Sequence, residues 1–196
     1  MENYENTIQI VAFSTNTDSA QIQSPYEIMK IYLKNHDHIL LKKKSGLAIA
    51  FTQKLPNSSL TTKIMICSAL DLSREYNGIK DVNCYLIFVD LESEDSKTQL
   101  NLITHYFLKN CNLLKKIYII GIYSSYAENF KKRIDEEDIK QMMYKEKINK
   151  YIYKEMDVEN NNNVSEIIVE IFSAVVNVPN TKKKVSEKQD NNCFIF

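Results

Sequence analysis

The residues with the most specific chemistry lie at the end of the chain, which closes with Cys193-Phe194-Ile195-Phe196. A cysteine, two apolar residues and one final residue form the pattern in which the thiol accepts an isoprenoid, and a terminal phenylalanine favours a geranylgeranyl group. We therefore predict lipidation of Cys193. The alternative is a chance cysteine four residues from the end, with apolar neighbours that pack elsewhere.

The tail before this cysteine would supply a second membrane signal. Its basic residues are Lys182, Lys183, Lys184 and Lys188. Glu187 and Asp190 partly offset them and leave a local charge of +2. Because one lipid chain gives only marginal membrane binding, a basic patch is the expected complement of the anchor. We predict a disordered tail over 179–196, after a domain that spans 1–178.

Other groups that could do chemistry are better explained by structure. Glu92, Glu94 and Asp95 could pass for an acidic catalytic cluster, but acidic residues are also favoured at the positive N-terminal end of a helix. His36 and His38 lie among polar residues and are interpreted as solvated. The four cysteines form no CxxC pair, so we predict neither a metal site nor catalytic residues.

Composition and charge argue against several classes of protein. The 196 residues include 25 basic and 25 acidic side chains, so no overall field attracts nucleic acid. No apolar run approaches the length of a membrane-spanning helix, and the polar start of the chain does not resemble a signal peptide. Apolar residues make up 44% of the sequence, which is enough for the core of one domain. We expect a cytoplasmic monomer.

Two apolar runs, 83–90 and 117–121, indicate the centre of the fold. Both are short, nearly continuous and rich in β-branched and aromatic residues, which is typical of strands buried on both faces of a parallel sheet. The residues between them have helical spacing, so the unit is strand, helix, strand. Ligands of such sheets bind at the carboxyl ends of the strands. Function is therefore expected from Asp90 onward and from Ile122 onward.

The remaining elements complete an α/β domain. We predict further strands over 7–13, 46–55, 61–69 and 151–153, of which the second and third form an antiparallel hairpin. Further helices are predicted to begin after Ser24, Asp135 and Asn163. The segment 36–45 is interpreted as a connection, and 70–82 as a polar stretch in which a short helix stays open as an alternative. The result is a three-layer fold with a mainly parallel six-stranded sheet and helices on both faces.

This order of elements resembles the small GTPase superfamily, and most closely its Ras and Rab branches. The resemblance covers about residues 7–177 and also the tail. Ile119-Ile120-Gly121 is similar to the strand that leads into the family's guanine-reading Asn-Lys-x-Asp motif. The segment 151–168 is similar to the family's last strand, its Ser-Ala-Lys loop and its final helix. The resemblance implies the fold of the P-loop GTPases.

The phosphate-binding motif of the family is degraded here. Where it has GxxxxGK[ST], this chain has the segment 13–20, whose equivalent positions include Ser14, Asp18, Ser19 and Ala20. The loop has no glycine to adopt the positive φ values that aim amides at phosphates, and it has no lysine to neutralise them. Asp18 would add a negative charge beside the phosphates.

The other nucleotide motifs are lost as well. The family's DxxG is replaced by a segment from Cys67 to Leu70, which removes the carboxylate behind the magnesium ion. Ser45 occupies the position of the magnesium-binding switch threonine. In place of Asn-Lys-x-Asp the chain has Ile122, Tyr123, Ser124 and Ser125, with no carboxylate to accept from guanine. The Ser-Ala-Lys loop corresponds to 155–157.

The family's water-orienting glutamine position falls on Asp71. Together these losses remove the phosphate cradle, the metal, the water-orienting residue and the base contacts that phosphoryl transfer needs. The resemblance therefore implies a prenylated pseudo-GTPase without a cofactor. It would bind effector or regulator proteins through the switch-like surface at 36–55 and 67–80, in vesicle trafficking or signalling. Two alternatives stay open. One is a divergent but genuine GTPase that binds GTP or GDP with Mg²⁺, and the other is an unrelated soluble α/β adaptor.

Overall fold

The computed structural model describes residues 7–16, 24–34, 38–41, 48–55, 58–68, 82–110, 115–126 and 132–176. The predicted tail at 179–196 and the boundary at 178 lie outside these residues, and so does most of the connection predicted at 70–82.

One mixed sheet organises the described residues. Its strands are β1 (Thr7–Ser14), β2 (His38–Leu41), β3 (Ala48–Leu55), β4 (Ser58–Ser68), β5 (Cys84–Asp90), β6 (Lys116–Tyr123) and β7 (Ile152–Asp157). They lie in the order β2-β3-β4-β1-β5-β6-β7. Strands β4, β1, β5, β6 and β7 are mutually parallel, and β3 is antiparallel to both of its neighbours. The predicted α/β class and the hairpin of β3 and β4 are confirmed.

The prediction of six strands was wrong, because the described residues form seven. The additional strand is β2, which lies in the segment that we interpreted as a connection. It has four residues and pairs only with β3, from His38 opposite Gln53 to Leu41 opposite Ala50. Main-chain hydrogen bonds to a neighbouring strand define such a short edge strand, and its own sequence carries little signal.

In the described part of the chain, four helices cover the sheet: α1 (Pro25–Lys34), α2 (Ser96–Asn110), α3 (Glu136–Lys145) and α4 (Asn161–Val176). The predicted cap of α3 is confirmed, since the Asp135 side chain accepts from the backbone N–H of Asp138 and the Asp138 side chain accepts from that of Asp135. The predicted cap of α4 was wrong. Asn160 Oδ1 accepts from the backbone N–H groups of Asn162 and Asn163, at 3.1 and 3.2 Å, so the helix begins earlier.

The core lies on both faces of the central strands, which confirms helices on both faces. Every residue of β5 is buried. Its Leu86 and Phe88 belong to the cluster that α1 and α4 cover, and its Ile87 and Val89 belong to the cluster that α2 and α3 cover. This alternation places successive side chains in opposite layers, and it explains why the run is apolar without interruption.

Strand β7 is longer than predicted and extends through Asp157. It is the edge strand beyond β6, so it is only partly buried and tolerates polar residues. Those residues are paired: Lys154 forms an ion pair with Glu170 at 2.9 Å, and Glu155 forms one with Lys132 at 2.5 Å. The segment 155–157, which we assigned to a Ser-Ala-Lys-like loop, is therefore part of the strand.

Candidate functional site

The carboxyl ends of β1, β5, β6 and β7 lie at one edge of the sheet, which we call the carboxyl edge. It consists of the described segments 14–16, 90–96, 123–126 and 157–163. Of the predicted nucleotide-site positions, Ser14, Ile122, Tyr123 and Ser125 lie at or next to this edge. Cys67 lies on β4, where its backbone is opposite Phe13 of β1. The other predicted site residues lie outside the described part of the chain: Asp18, Ser19, Ala20, Ser45, Leu70, Lys182, Lys183, Lys184, Lys188 and Cys193.

The end of β1 is bound to the protein itself. Ser14 and Thr15 are both buried. The backbone N–H of Thr15 donates to the carbonyl oxygen of Phe88 at 3.0 Å, and that of Asn16 donates to Ser14 Oγ at 3.0 Å. A phosphate-binding loop needs amides that are free to bind the ligand. These two amides are already satisfied internally.

A buried hydroxyl links the end of β1 to β5 and α2. Thr15 Oγ1 accepts from the backbone N–H of Asp90 at 2.9 Å and lies 2.9 Å from Ser96 Oγ. Thr15 and Ser96 are 81 positions apart, so this contact joins two distant parts of the chain. It fixes the start of the loop after β1 against the first turn of α2.

Helix α1 has little capacity to bind an anion at its N-terminus. It begins at Pro25, eleven positions after Ser14, the last residue of β1, and proline has no N–H to offer. Ser24 accepts from two of the amides that follow: its Oγ accepts from the N–H of Glu27 at 3.2 Å, and its carbonyl oxygen accepts from that of Ile28 at 3.0 Å. Glu27 also places a carboxylate in the first turn, where it would repel a phosphate.

Asp90 stabilises a turn at the end of β5. The residue is 7% exposed, and burial raises the pKa of its carboxyl group above the ordinary value of 3.8. Its Oδ1 accepts from the N–H of Glu92 at 2.9 Å, and the next residue, Leu91, donates its N–H to the carbonyl of Ile122 at 2.9 Å. Within the described ranges, no group of three or more His, Cys, Asp or Glu side chains could hold a metal ion.

The end of β6 presents different groups from those expected. Ile122 is fully buried in the layer of α1 and α4, so its side chain faces the core. Tyr123 contacts Lys132, whose Nζ lies 5.7 Å from the ring centroid. Ser125 donates its backbone N–H to Asp157 Oδ1 at 3.2 Å. The neighbouring Ser124 donates its hydroxyl to Glu159 Oε1 at 3.0 Å.

A polar cleft of about 460 Å³ opens between the turn after β6 and the start of α4. It is lined by Ser125, Tyr126, Asp157, Glu159, Asn160, Asn161 and Asn162. Its two carboxylates are partly used inside the protein, since Asp157 Oδ1 also accepts from the N–H of Glu159 at 3.1 Å. Sequence reasoning assigned Asp157 to the Ser-Ala-Lys-like segment but missed Glu159 as a member of this edge. The available signal was a run of polar residues directly after a strand.

Gly121 lies where β6 passes close beneath the side chains of Tyr153 and Leu91. A Cβ at this position would lie 2.7 Å from the Tyr153 hydroxyl oxygen and 2.9 Å from Leu91 Cδ1. The hydroxyl of Tyr153 donates to Glu155 Oε1 at 3.0 Å, and burial raises the pKa of Tyr153. Because Glu155 also pairs with Lys132, these residues hold β7 to the end of β6. The glycine of the Ile119-Ile120-Gly121 segment therefore has a packing role.

Comparison with known protein families finds no family model that matches the chain, and a search of curated proteins finds none that is similar to it. In the described ranges, no helix has both the length and the apolar character needed to cross a membrane.

Proposed function

We propose that this protein is a prenylated, membrane-associated pseudo-GTPase of the Ras/Rab type. It keeps the GTPase architecture without nucleotide chemistry and acts by protein–protein contact, in vesicle trafficking or signalling. Its location would be the cytosolic face of a membrane, through a geranylgeranyl group on Cys193.

The order of the sheet supports the fold that this proposal requires. An antiparallel hairpin, β3 and β4, precedes a series of parallel strands connected by helices, and β1 lies between β4 and β5. A hairpin next to the first strand is one of the features in the order of elements on which the resemblance to small GTPases rests.

The start of α1 is the observation that carries the absence of nucleotide chemistry. A phosphate-binding loop places the helix N-terminus against the phosphates, with free N–H groups and a favourable dipole. Here the helix begins with Pro25, is capped by Ser24 and carries Glu27 in its first turn. The amides of Thr15 and Asn16 are also occupied. The phosphates of a nucleotide would have to displace these hydrogen bonds, and the segment 13–20 has no lysine whose charge could offset their loss.

The residues at the positions of the family's guanine-reading motif support the same proposal. The position that would accept from guanine is Ser125, and the preceding positions are the buried Ile122 and the Lys132-contacting Tyr123. A buried isoleucine cannot replace the amide side chain of the family motif. The carboxylates nearby, Asp157 and Glu159, accept hydrogen bonds from the protein's own serines and backbone.

The proposed partner surface is the switch-like surface at 36–55 and 67–80. Its described parts are β2, β3 and the end of β4, which lie on the side of the sheet opposite β7, with β2 as the edge strand of the described sheet. Effector or regulator proteins would bind there, while the C-terminal anchor holds the domain at the membrane. The protein itself would act as a monomer and would bind no nucleic acid.

Thermal unfolding of the purified full chain, with and without GTP or GDP and Mg²⁺, tests this proposal. A ligand at 100 times its Kd stabilises a protein by about 2.7 kcal/mol, which corresponds to a rise of roughly 5–10 °C for a chain of this size. We expect no change. A magnesium-dependent rise would support the divergent GTPase instead.

The membrane part of the proposal has a separate test. Replacing the thiol in Cys193→Ser should move the protein from membranes to the cytosolic fraction and leave its melting temperature unchanged. Mass spectrometry of the C-terminal peptide should find the isoprenoid in the wild type. An unmodified peptide that still ends in Phe196, from cells with active prenylation, would leave the soluble adaptor as the better account.

A further inference from the structure

The described basic side chains fall into two groups of six. Six form ion pairs with carboxylates: Lys30, Lys97, Lys132, Arg133, Lys140 and Lys154. The other six form no ion pair with a described carboxylate: Lys34, Lys115, Lys116, Lys145, Lys147 and Lys150. A random distribution of surface charge would mix the two groups over the surface, but here they are separated in space.

All six unpaired lysines lie at the end of the sheet opposite the carboxyl edge. Lys34 ends α1, Lys115 and Lys116 begin β6, and 145–150 connects the end of α3 to β7. We call this end, with these segments and the last turn of α4, the amino edge. Its described segments carry one acidic residue, Glu146, so its net charge is +5. The chain as a whole has equal numbers of acidic and basic residues.

The carboxyl edge has the opposite character. Acidic residues are concentrated in the carboxyl edge and at the adjoining start of α3, where Lys97, Lys132 and Arg133 offset three of their ten charges: Asp90, Glu92, Glu94, Asp95, Asp135, Glu136, Glu137, Asp138, Asp157 and Glu159. The two edges are separated by about 26 Å, which is the length of an eight-residue strand such as β6. The molecule thus has a positive end and a negative end along the direction of its strands, although its net charge is zero.

One lysine of the amino edge occupies a backbone position that favours glycine. Lys147 has φ 60°, in the left-handed region. It ends α3, with Lys147 N–H donating to the carbonyl of Tyr144 at 3.0 Å and Ile148 N–H donating to that of Met143 at 2.9 Å. Glycine usually occupies this position because it has no Cβ to strain. A lysine there costs stability but adds a charge to the edge.

The tail leaves the described structure at this same edge. Lys116 Nζ donates to the carbonyl oxygen of Ala174 at 2.8 Å, which places the last turn of α4 beside the start of β6. Lys182 follows Val176, the last residue of α4, by six positions, so at most about 20 Å of chain separates them. The described chain therefore ends at the edge that is already basic, six positions before the first of the tail lysines.

We propose that the amino edge is a membrane-docking surface that contacts anionic lipid headgroups and orients the domain with its carboxyl edge away from the bilayer. This inference rests on the membrane attachment in the proposed function. The edge charge and the tail charge would act together, since each lysine near an anionic leaflet adds about 1 kcal/mol, or roughly fivefold in affinity. The acidic carboxyl edge would disfavour the reverse orientation.

Vesicle binding of the unprenylated full chain tests this surface. The probe is vesicles of phosphatidylcholine with about one-quarter phosphatidylserine, compared at low salt with vesicles of phosphatidylcholine alone. The triple variant Lys145→Gln, Lys147→Gly, Lys150→Gln should bind the anionic vesicles on the order of 100-fold more weakly. The matched control is Lys97→Gln, Lys140→Gln, Lys154→Gln, which removes the same charge from paired lysines away from the edge and should bind within about threefold of wild type.

Lys147→Gly by itself separates docking from folding. It should weaken binding about fivefold while the melting temperature stays equal or rises, because glycine relieves the left-handed strain. The orientation has its own readout, since the chain contains no tryptophan. A probe introduced as Asn149→Trp should be quenched by brominated lipid, whereas Asn161→Trp at the carboxyl edge should not.

Three results would overturn the docking surface. They are a wild type that does not bind the anionic vesicles, a triple variant that binds no more weakly than its control, and a wild type that binds single-stranded RNA through these lysines in preference to the vesicles. Because no lipid anchor is present, these results do not depend on prenylation. Conversely, an unmodified Cys193 in cells would refute the proposed anchor and leave the vesicle result standing.

Discussion

Replacing Gly121 by alanine should destabilise the domain by overpacking the contact between β6, β7 and the turn after β5. The new Cβ would lie 2.7 Å from the Tyr153 hydroxyl oxygen and 2.9–3.0 Å from the two Cδ atoms of Leu91. Distances below 3.0 Å require neighbours to move, and Leu91 is fully buried. Overpacking of this kind costs about 1–3 kcal/mol. A loss of that size lowers the melting temperature by roughly 2–12 °C in a domain of this length.

A double-variant cycle identifies the responsible contact. Tyr153→Phe removes the hydroxyl that the Cβ would meet, at the cost of about 1 kcal/mol for the hydrogen bond to Glu155. Gly121→Ala should therefore be less harmful in the Tyr153→Phe background than in the wild type, although Leu91 still limits the space. Urea unfolding of all four proteins measures the coupling. Full additivity, or a Gly121→Ala variant as stable as wild type, would refute this explanation of the glycine.

Three further predictions concern the carboxyl edge. Thr15→Val should cost about 1–3 kcal/mol, because the buried N–H of Asp90 loses its acceptor, and chemical denaturation would measure the loss. Asp90→Asn should keep the hydrogen bond from the N–H of Glu92. The pKa of Asp90 is raised in the folded state, so the wild type loses stability as the pH rises from 3.8 through that folded pKa. Asparagine does not titrate, so the variant's stability should depend less on pH in this range. An equally steep wild-type and variant profile would contradict this. Asn160→Ala should cost about 1 kcal/mol through loss of the α4 cap, and Asn160→Asp, which still caps, should restore most of it.

The centre of the fold could be predicted from the sequence because its signals are local. The apolar runs around Leu86 and Ile119 are uninterrupted because both faces of these strands are covered, and the structure confirms them as β5 and β6. Asp135 was predictable as a cap, because an acidic residue three positions later completes the reciprocal pair.

The edges of the fold could not be predicted in the same way. Strand β2 depends on its pairing with β3, and the polar second half of β7 depends on partners from other elements, such as Lys132 and Glu170. The contact of Thr15 with Ser96 depends on how β1, β5 and α2 come together. Sequence could show which nucleotide motifs are missing. It could not show that the end of β1 is closed by hydrogen bonds instead.

Binding of a fluorescent GDP analogue to the purified full chain, in the presence of Mg²⁺, tests the central claim most directly. The capped start of α1 at Pro25 and the occupied amides of Thr15 and Asn16 leave no phosphate cradle in the described structure. The account therefore predicts no saturable binding at analogue concentrations up to roughly 100 μM. The free energy of binding would then be weaker than about −5.5 kcal/mol. Saturable, magnesium-dependent binding with a Kd below about 1 μM, competed by unlabelled GTP, would contradict it.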